Sequence, residues 1–247
     1  MQDNLVSIIM PAYNSANYIK DSIESVLRQS YPHWELLVID DGSSDNTAEI
    51  VKAYNDKRIV YLHQSNQGVA AARNYGLAEA NGRFIAFLDS DDIWLSEKLS
   101  RQLAFMQGHD IGFSYTEYCQ FWDNPAEIGE LIKIQDSVDY HELLKGNDIG
   151  CLTVMLDKCK CQIPYMPVDR HEDYITWLNI MKSGMRAFGL HEDLARYRKS
   201  SNSLSGNKWK SLQWTWQVYR KSQRLSILKS IYYFAYYVVR GIKKHFS

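Results

Sequence analysis

Two aspartates separated by a single residue follow an apolar segment of the chain. The segment 83–88 reads Arg-Phe-Ile-Ala-Phe-Leu, and Asp89, Ser90 and Asp91 come directly after it. On a tight turn both carboxylates can converge on one small site, and like charges held that close need a cation. Hard oxygen ligands suit Mn²⁺ or Mg²⁺, which also bind water and phosphate oxygens. Acidic turns in solvent are common, so this pattern needs support from other segments.

Polar groups also follow three other apolar segments. They are Pro11, Ala12, Tyr13 and Asn14 after segment 6–10, Asp40 and Asp41 after segment 35–39, and Gln64 to Gly68 after segment 58–62. The Asp41 carboxylate can accept the N3–H of a uracil ring, Tyr13 can stack on the base, and the backbone at 11–12 can approach it. The alternative for Asp41 is a turn that caps a helix, and both roles can coexist. Arg73 can reach a phosphate or position the carboxylates, with a structural salt bridge as the alternative.

Apolar strands and helices alternate along the first part of the chain. Strands are predicted at 6–10, 35–39, 58–62 and 83–88, and helices at 16–30, 45–54 and 68–80. This order, with near-continuous apolar strands, predicts an α/β fold with a parallel sheet covered by helices on both faces. Ligands of such sheets bind at the carboxyl ends of the strands, so the polar groups should line one crevice. Farther along, we predict strands at 113–116 and 152–156 and a helix at 174–182.

The composition is that of a globular protein with an acidic body and a basic tail. Of 247 residues, 45% are hydrophobic; Leu194 to Ser247 hold 12 Lys/Arg and no acidic residue, and the remainder holds 16 basic and 29 acidic residues. No signal peptide or membrane span is expected, because the apolar runs are short. The cysteines lack zinc-site spacing and are expected to be free thiols in a reducing cytoplasm. His171 and His191 are candidates for an extra metal ligand, with a surface or core histidine as the alternative.

Basic and aromatic residues are interleaved in the tail, residues 206–247, which is predicted to be helical. Its apolar run, 231–239, is too short to span a bilayer. A basic, aromatic, amphipathic helix is typical of one that lies in the membrane interface, so we expect peripheral membrane contact. The alternatives are a helix packed on the rest of the chain or on the second subunit of a homodimer. Nucleic acid is not an expected partner, because the rest of the chain is acidic.

Several motifs in this order and spacing resemble family 2 glycosyltransferases of GT-A fold. They are the segments 6–14, 38–45, 66–68, 72–74 and 87–92. His171 to Tyr174 resembles the Glu-Asp pair of that family, and Tyr197 to Lys199 with Ser200 to Ser205 resembles its Tyr-Arg and Ser-rich segment. The resemblance implies a Rossmann-like, mostly parallel sheet in a domain 1–205, with a nucleotide-binding half, 1–100, and an acceptor half, 101–205. The tail stands outside it.

The resemblance also implies a role for each matching position. Ala12, Tyr13 and Asp41 would hold the uridine, Asn66 and Arg73 would contact the nucleotide, and Pro11, Asn14 and Ser90 complete the predicted nucleotide site. Asp89 would lie near the ribose and the metal, and Asp91 would be the main ligand of Mn²⁺ or Mg²⁺. Asp173 would be the catalytic base, with Glu172 beside it for the acceptor or for orientation.

The activity so implied is an inverting, metal-dependent glycosyltransferase. Its donor would be a nucleotide-diphosphate sugar, foremost a UDP-sugar, and its acceptor a hydroxyl of a glycan or lipid-linked glycan. Surface polysaccharide synthesis at the cytoplasmic face of the cell membrane is the expected setting. The alternatives are a nucleotidyltransferase or phosphatase that uses the same carboxylates, and an inactive glycan- or lipid-binding module. The first would need a glycine-rich loop or a nucleophilic aspartate motif, and Asp89, Asp91 and Asp173 argue against the second.

Overall fold

The computed structural model describes residues 2–122, 127–199 and 208–246. Its first part alternates strands and helices: β1 (Gln2–Ala12), α1 (Ile19–Leu27), β2 (Trp34–Asp40), α2 (Thr47–Lys52), β3 (Ile59–His63), α3 (Val69–Glu79) and β4 (Gly82–Phe87). Every strand and helix predicted for this part is therefore present. All three predicted helices are trimmed at both ends, since 16–30 shortens to α1, 45–54 to α2 and 68–80 to α3.

The second part of the chain is less regular. It contains β5 (Ile93–Trp94), α4 (Lys98–Gly108), β6 (Phe113–Phe121), β7 (Leu131–Ile132), β8 (Ser137–Val138), α5 (Tyr140–Leu144), β9 (Met155–Asp157), α6 (Glu172–Met181) and β10 (Ala187–Arg198). The predicted strand at 152–156 is wrong in its first half, because Cys151–Thr153 forms a 3-10 turn. The hydroxyl of Thr153 donates to the carbonyl of Gly150 at 2.7 Å and closes that turn.

One sheet joins both parts, with the strand order β3-β2-β1-β4-β9-β6-β10-β5. Strands β1 to β4 pair in parallel, and so do β6 and β10. The short strand β9 lies antiparallel between β4 and β6 and connects the two parallel groups. In the register of β1 and β2, Ala12 lies opposite Asp40, so the loops that follow these strands start at the same edge of the sheet.

Alternate residues of the central strands enter two different apolar cores. On β1, Ile9 packs in one core and Ile8 in the other, and Leu37 and Leu36 divide in the same way on β2. Side chains along a strand point to opposite faces, so both faces of this sheet are buried. This accounts for the near-continuous apolar strands of the sequence and confirms the α/β fold with helices on both faces.

The tail packs against the rest of the chain through one side. It consists of α7 (Lys208–Gln217), a π-helical turn (Val218–Ser222) and α8 (Ile227–Phe246). Tyr219 is fully buried in the core that contains α6, and the Tyr233 hydroxyl lies 2.7 Å from Nδ1 of His141. Packing on the protein, one of the two alternatives to membrane contact, is therefore observed for this side. Within the described ranges no helix is both long and apolar enough to cross a membrane.

Candidate active site

A buried arginine joins the two halves of the crevice. Arg73 of α3 is 4% exposed and donates through Nη2 to Oδ1 of Asp89 at 2.6 Å and through Nη1 to Oε1 of Glu172 at 2.7 Å. Asp89 follows β4, whereas Glu172 is the first residue of α6. A buried guanidinium needs opposite charges around it, and these two carboxylates supply them. The carboxylates predicted separately at 89 and 172 are thus held on one side chain.

The acidic motif after β4 lies in a partly dry environment. Burial raises the pKa of Asp91 to about 6, and the negative charge of Asp89 acts in the same direction. The Ser90 hydroxyl is hydrogen-bonded to that of Ser15 at 2.8 Å, which ties this turn to the loop after β1. In the described part of the chain, no group of three or more His, Cys, Asp or Glu side chains is arranged to hold a metal ion.

Asp173 has the position and the environment of a proton acceptor. It lies in the first turn of α6, where Tyr174 N–H donates to its Oδ1 at 2.6 Å. Burial raises the pKa of Asp173 to about 6, the charge of Glu172 adds to this rise, and the guanidinium of Arg73 opposes it. A carboxyl group with a pKa near 6 is a better base than an ordinary aspartate and remains largely ionised at neutral pH.

The predicted base-recognition carboxylate, Asp41, organises the loop before α3. It is 4% exposed. Its Oδ1 accepts from Nε2 of Gln64 at 2.7 Å and from the N–H of Gln67 at 2.8 Å, and its Oδ2 accepts from the N–H of Gly68 at 2.8 Å. The local turn of the alternative interpretation is formed by Asp40, whose Oδ1 accepts from the N–H of Ser43 at 2.9 Å, whereas Asp41 holds the more distant loop 64–68. Its Oδ2, with one donor in place, keeps room for a second.

The residues on the rim of this loop are accessible. Tyr13 is 53% exposed, and Asn66 is exposed as well. Asn14, with φ of 48°, accepts from the N–H of Ser44 at 2.8 Å and joins the loops after β1 and β2. Pro11 and Ala12 are buried at the end of β1, where the Ala12 carbonyl accepts from the N–H of Asp41 at 2.8 Å. An exposed aromatic ring at this edge of the sheet can stack on a planar base.

Backbone crowding explains the glycine of the loop after β2. Gly42 has φ of +75°, a conformation that other residues seldom adopt. A Cβ at this position would lie 2.9 Å from the backbone nitrogen of Asn66. The loops that carry Asp41 and Asn66 can therefore approach each other only because residue 42 is glycine.

Arg198, at the end of β10, holds the turn of the acidic motif through hydrogen bonds to Asp91 and Asp92. Its Nε donates to the Asp91 carbonyl at 2.8 Å, and its N–H donates to Oδ1 of Asp92 at 2.9 Å. Asp92 is 1% exposed, and burial raises its pKa well above the usual range. From the sequence, Arg198 is recognisable only as part of the Tyr-Arg motif, which predicts no role for it. The Ser-rich stretch of that motif, Ser200 to Ser205, lies outside the described residues.

The two candidate histidines differ in position. His191 lies at the surface, with Nε2 at 2.7 Å from Oδ1 of Asp136, and hydrogen bonds to Asp136 and Glu117 raise its pKa. His171 precedes α6 in a left-handed conformation with φ of 62°. Its ring packs edge-on against Trp214 of α7, with 5.6 Å between the ring centroids. The structure places His191 in a surface ion pair and His171 in a packing contact beside Glu172 and Asp173. All four cysteines are free.

Comparison with known proteins decides the family. The model of the family described as "Glycosyl transferase family 2" matches residues 7–144. The UDP-Glc:alpha-D-GlcNAc-diphosphoundecaprenol beta-1,3-glucosyltransferase WfgD of Escherichia coli is 44% identical over 247 residues, covering 99% of this chain and 96% of that protein. The chain belongs to glycosyl transferase family 2. It is a glycosyltransferase, and the nucleotidyltransferase and inactive-module alternatives are not retained.

Solved structures show the fold expected of this family. S. aureus TarS 1–349 in complex with UDP-GlcNAc superposes with a TM-score of 0.71 at 21% identity, covering 94% of this chain and 71% of that one. The mannosyltransferase PcManGT from Pyrobaculum calidifontis, in complex with GDP-Man and Mn²⁺, gives a TM-score of 0.69 at 18% identity over 93% of this chain and 69% of that one. At these identities the likeness confirms the GT-A fold of this family 2 glycosyltransferase and nothing finer.

Proposed function

We propose that the protein transfers a sugar from a UDP-sugar to a hydroxyl of a lipid-linked glycan, with inversion at the anomeric carbon. The observation that carries this proposal is the Arg73 bridge. It holds Asp89, at the end of a nucleotide-side strand, together with the Glu172–Asp173 turn of α6. Asp89 as a metal ligand and Asp173 as a base would then lie close together, as in-line displacement at an anomeric carbon requires.

The donor's uracil would bind over the loop that Asp41 organises. Tyr13 supplies an exposed ring for stacking, and Oδ2 of Asp41 can accept the N3–H alongside the hydrogen bond from Gly68. Asn66 lies at the opening of the same loop. UDP as the nucleotide is supported by the UDP-GlcNAc complex of TarS and by the UDP-Glc in the name of WfgD.

Asp91 and Asp89 would hold Mn²⁺ or Mg²⁺. Two neighbouring carboxylates, one with its pKa raised by burial and by the charge of the other, form an oxygen donor set that fits a hard divalent cation. When bound, the cation neutralises negative charge on the diphosphate leaving group. Two carboxylates leave most coordination positions to phosphate oxygens and water, which is usual for these ions.

Asp173 would accept the proton of the acceptor hydroxyl as its oxygen attacks the anomeric carbon. Inversion in one step needs the base on the face opposite the departing UDP. Its first-turn position on α6 and its partly buried environment keep the carboxylate oriented and basic. Glu172 is occupied by Arg73 and is assigned to orientation of this turn.

The relatives and the tail support an acceptor class and a location. The name of WfgD gives an alpha-D-GlcNAc-diphosphoundecaprenol acceptor, a lipid-linked sugar. We therefore assign surface polysaccharide synthesis at the cytoplasmic face of the membrane, with the tail in peripheral contact with the lipid. A homodimer is not required by this assignment.

Calorimetric titration of the purified protein with UDP, with and without Mn²⁺, tests the donor assignment. We expect binding that depends on Mn²⁺ and is lost in Asp91→Ala. Equal binding of UDP without the metal would contradict the role of Asp89 and Asp91. Preference for GDP or dTDP over UDP would contradict the choice of nucleotide.

A further inference from the structure

The outward side of α8 carries mostly apolar side chains. Its inward side contacts the protein through Tyr233, through Tyr237, whose hydroxyl lies 3.1 Å from that of Ser211, and through Arg240, which donates to Asp148 at 3.0 Å. The outward side consists of Ile227, Leu228, Ile231, Tyr232, Ala235 and Val239, with Tyr236 at its edge, where Nζ of Lys145 lies 5.5 Å from the ring centroid; all seven are exposed. We call these seven residues the α8 outer face.

The apolar side chains of this face are highly exposed. Leu228 is 80% exposed, Ile227 is 59% exposed, and Ile231 and Val239 are each more than half exposed. The members of the face are adjacent pairs of residues that recur every four positions along the chain, up to the single Val239. This spacing places them on one side of the helix. Single exposed apolar side chains are normal, but a contiguous patch of this kind marks an interaction surface.

Charge around the outer face indicates what covers it. The tail, residues 206–247, contains nine Lys or Arg residues and no Asp or Glu. Lys229 lies on α8 beside the face, and Lys221 and Arg224 precede it; all three are exposed. Two copies of this tail packed face to face would bring like charges together, whereas an anionic lipid surface would pair with them.

We propose that the α8 outer face inserts into the interfacial region of an anionic bilayer, with Lys221 and Lys229 against the lipid headgroups. A helix with one apolar face, basic edges and aromatic residues is suited to lie in the plane of the interface. The tyrosines 232 and 236 present rings with polar hydroxyls, which suit the boundary between headgroups and acyl chains.

The tail also connects this surface to the reaction centre. Trp214 of α7 packs on His171, and Arg170 lies over the ring of Trp214 at 5.4 Å from its centroid. The next residues along the chain are Glu172 and Asp173. Docking of α8 would therefore fix the base relative to the membrane that holds a lipid-linked acceptor. This last step rests on the proposed function, whereas lipid binding itself needs neither donor nor metal.

Vesicle flotation tests the surface directly. The full chain is mixed with phosphatidylcholine vesicles that contain or lack phosphatidylglycerol, at low and at high salt. We expect binding to the anionic vesicles that weakens with salt, and a loss of about tenfold or more in Leu228→Ser/Ile231→Ser. The matched control is Ile128→Ser/Val168→Ser, which removes apolar side chains that are 58% and 71% exposed elsewhere and should bind like the wild type. Lys221→Gln/Lys229→Gln should lose the preference for anionic lipid.

Three results would overturn the proposal. The first is a wild-type protein that does not float with anionic vesicles at low salt. The second is a Leu228→Ser/Ile231→Ser variant that binds as the wild type does. The third is a dimer in solution that this variant dissociates, because a second copy would then be the cover. Melting temperature and UDP titration of each variant separate these outcomes from misfolding. Vesicle binding without UDP binding would contradict the proposed function alone, and UDP binding without vesicle binding would contradict this proposal alone.

Discussion

Replacement of Arg73 by methionine removes the charge that holds the two halves of the site together and keeps much of the side-chain volume. Asp89 and Glu172 each lose a short charge-assisted hydrogen bond, of 2.6 and 2.7 Å. Both carboxylates then repel each other and Asp173 without a compensating cation. We therefore expect both a lower stability of the fold and a higher pKa of Asp173.

The magnitude follows from the burial of the three side chains. Removing one partner of a buried ion pair costs about 3–5 kcal/mol. Arg73 is 4% exposed, but its partners Asp89 and Glu172 are 31% and 16% exposed and regain some hydration. The lower end of the range, about 3 kcal/mol, is therefore expected, which lowers the melting temperature by about 6–12 °C in a chain of this size.

The same substitution shifts the pH dependence of transfer. Asp173 must be ionised to accept a proton, so activity falls as the pH drops through its pKa, which is about 6 in the intact site. Arg73 lowers that pKa, so its removal moves the acidic limb of the profile to higher pH. Differential scanning calorimetry and kcat/KM between pH 5 and 8 measure both effects.

The matched control is Arg101→Met. Arg101 is 60% exposed and lies 3.5 Å from Glu192 at the surface, so its loss should cost about 0–1 kcal/mol and leave the pH profile unchanged. The contradicting result would be an Arg73→Met variant that melts within about 2 °C of the wild type and loses activity at the same acidic pH. The bridge would then contribute neither to the stability of the fold nor to the pKa of Asp173.

Three further predictions concern single side chains. In the wild-type enzyme, kcat/KM should fall as the pH is lowered, with a midpoint near pH 6, because burial raises the pKa of Asp173 to about 6. A kcat/KM that stays constant down to pH 5 would contradict the assignment of Asp173 as the base. Asp41→Asn should weaken UDP binding by about 10- to 30-fold by calorimetry, because an amide NH₂ cannot accept the N–H groups that now converge on the carboxylate; unchanged affinity would remove Asp41 from the donor site. Arg198→Met should raise the Mn²⁺ concentration for half-maximal activity by about tenfold, because the side chain that holds the Asp91 carbonyl is lost; an unchanged Mn²⁺ requirement with lower stability would reduce Arg198 to a packing role.

Much of the fold is readable from local patterns. The strands β1, β2 and β4 are apolar on both faces. The polar groups after them could be recognised because each loop directly follows its strand in the sequence. The parallel register then brings the ends of β1 and β2 level. The crevice at this edge of the sheet follows from pattern and topology alone.

Contacts between distant parts of the chain were not readable in the same way. Arg73 and Glu172 are 99 residues apart, and Arg198 and Asp91 are 107 apart. The spacing of residues in the sequence does not reveal such pairs. Each contact depends on how β9, β10 and α6 pack against the part of the sheet formed by β1 to β4. The alternatives for Arg73, phosphate ligand or carboxylate partner, could be weighed only after the guanidinium was seen between Asp89 and Glu172.

The tail shows a similar division. Its amphipathic, basic character was evident from sequence, but whether its apolar residues would face the protein depended on the helix orientation. One helix does both: Tyr233 lies in the core, whereas Leu228 is 80% exposed. The predicted packing and the predicted lipid contact therefore concern different faces of α8.

The central claim is that Asp173 is the base of a UDP-sugar transferase, and Asp173→Asn tests it most directly. UDP binding in the presence of Mn²⁺ and sugar transfer to a lipid-linked acceptor are measured on the same preparation of this variant and of the wild type. We expect UDP affinity within about twofold of the wild type and a loss of transfer of at least about 100-fold, because an amide cannot take the acceptor proton. Transfer at the wild-type rate by Asp173→Asn would contradict the account.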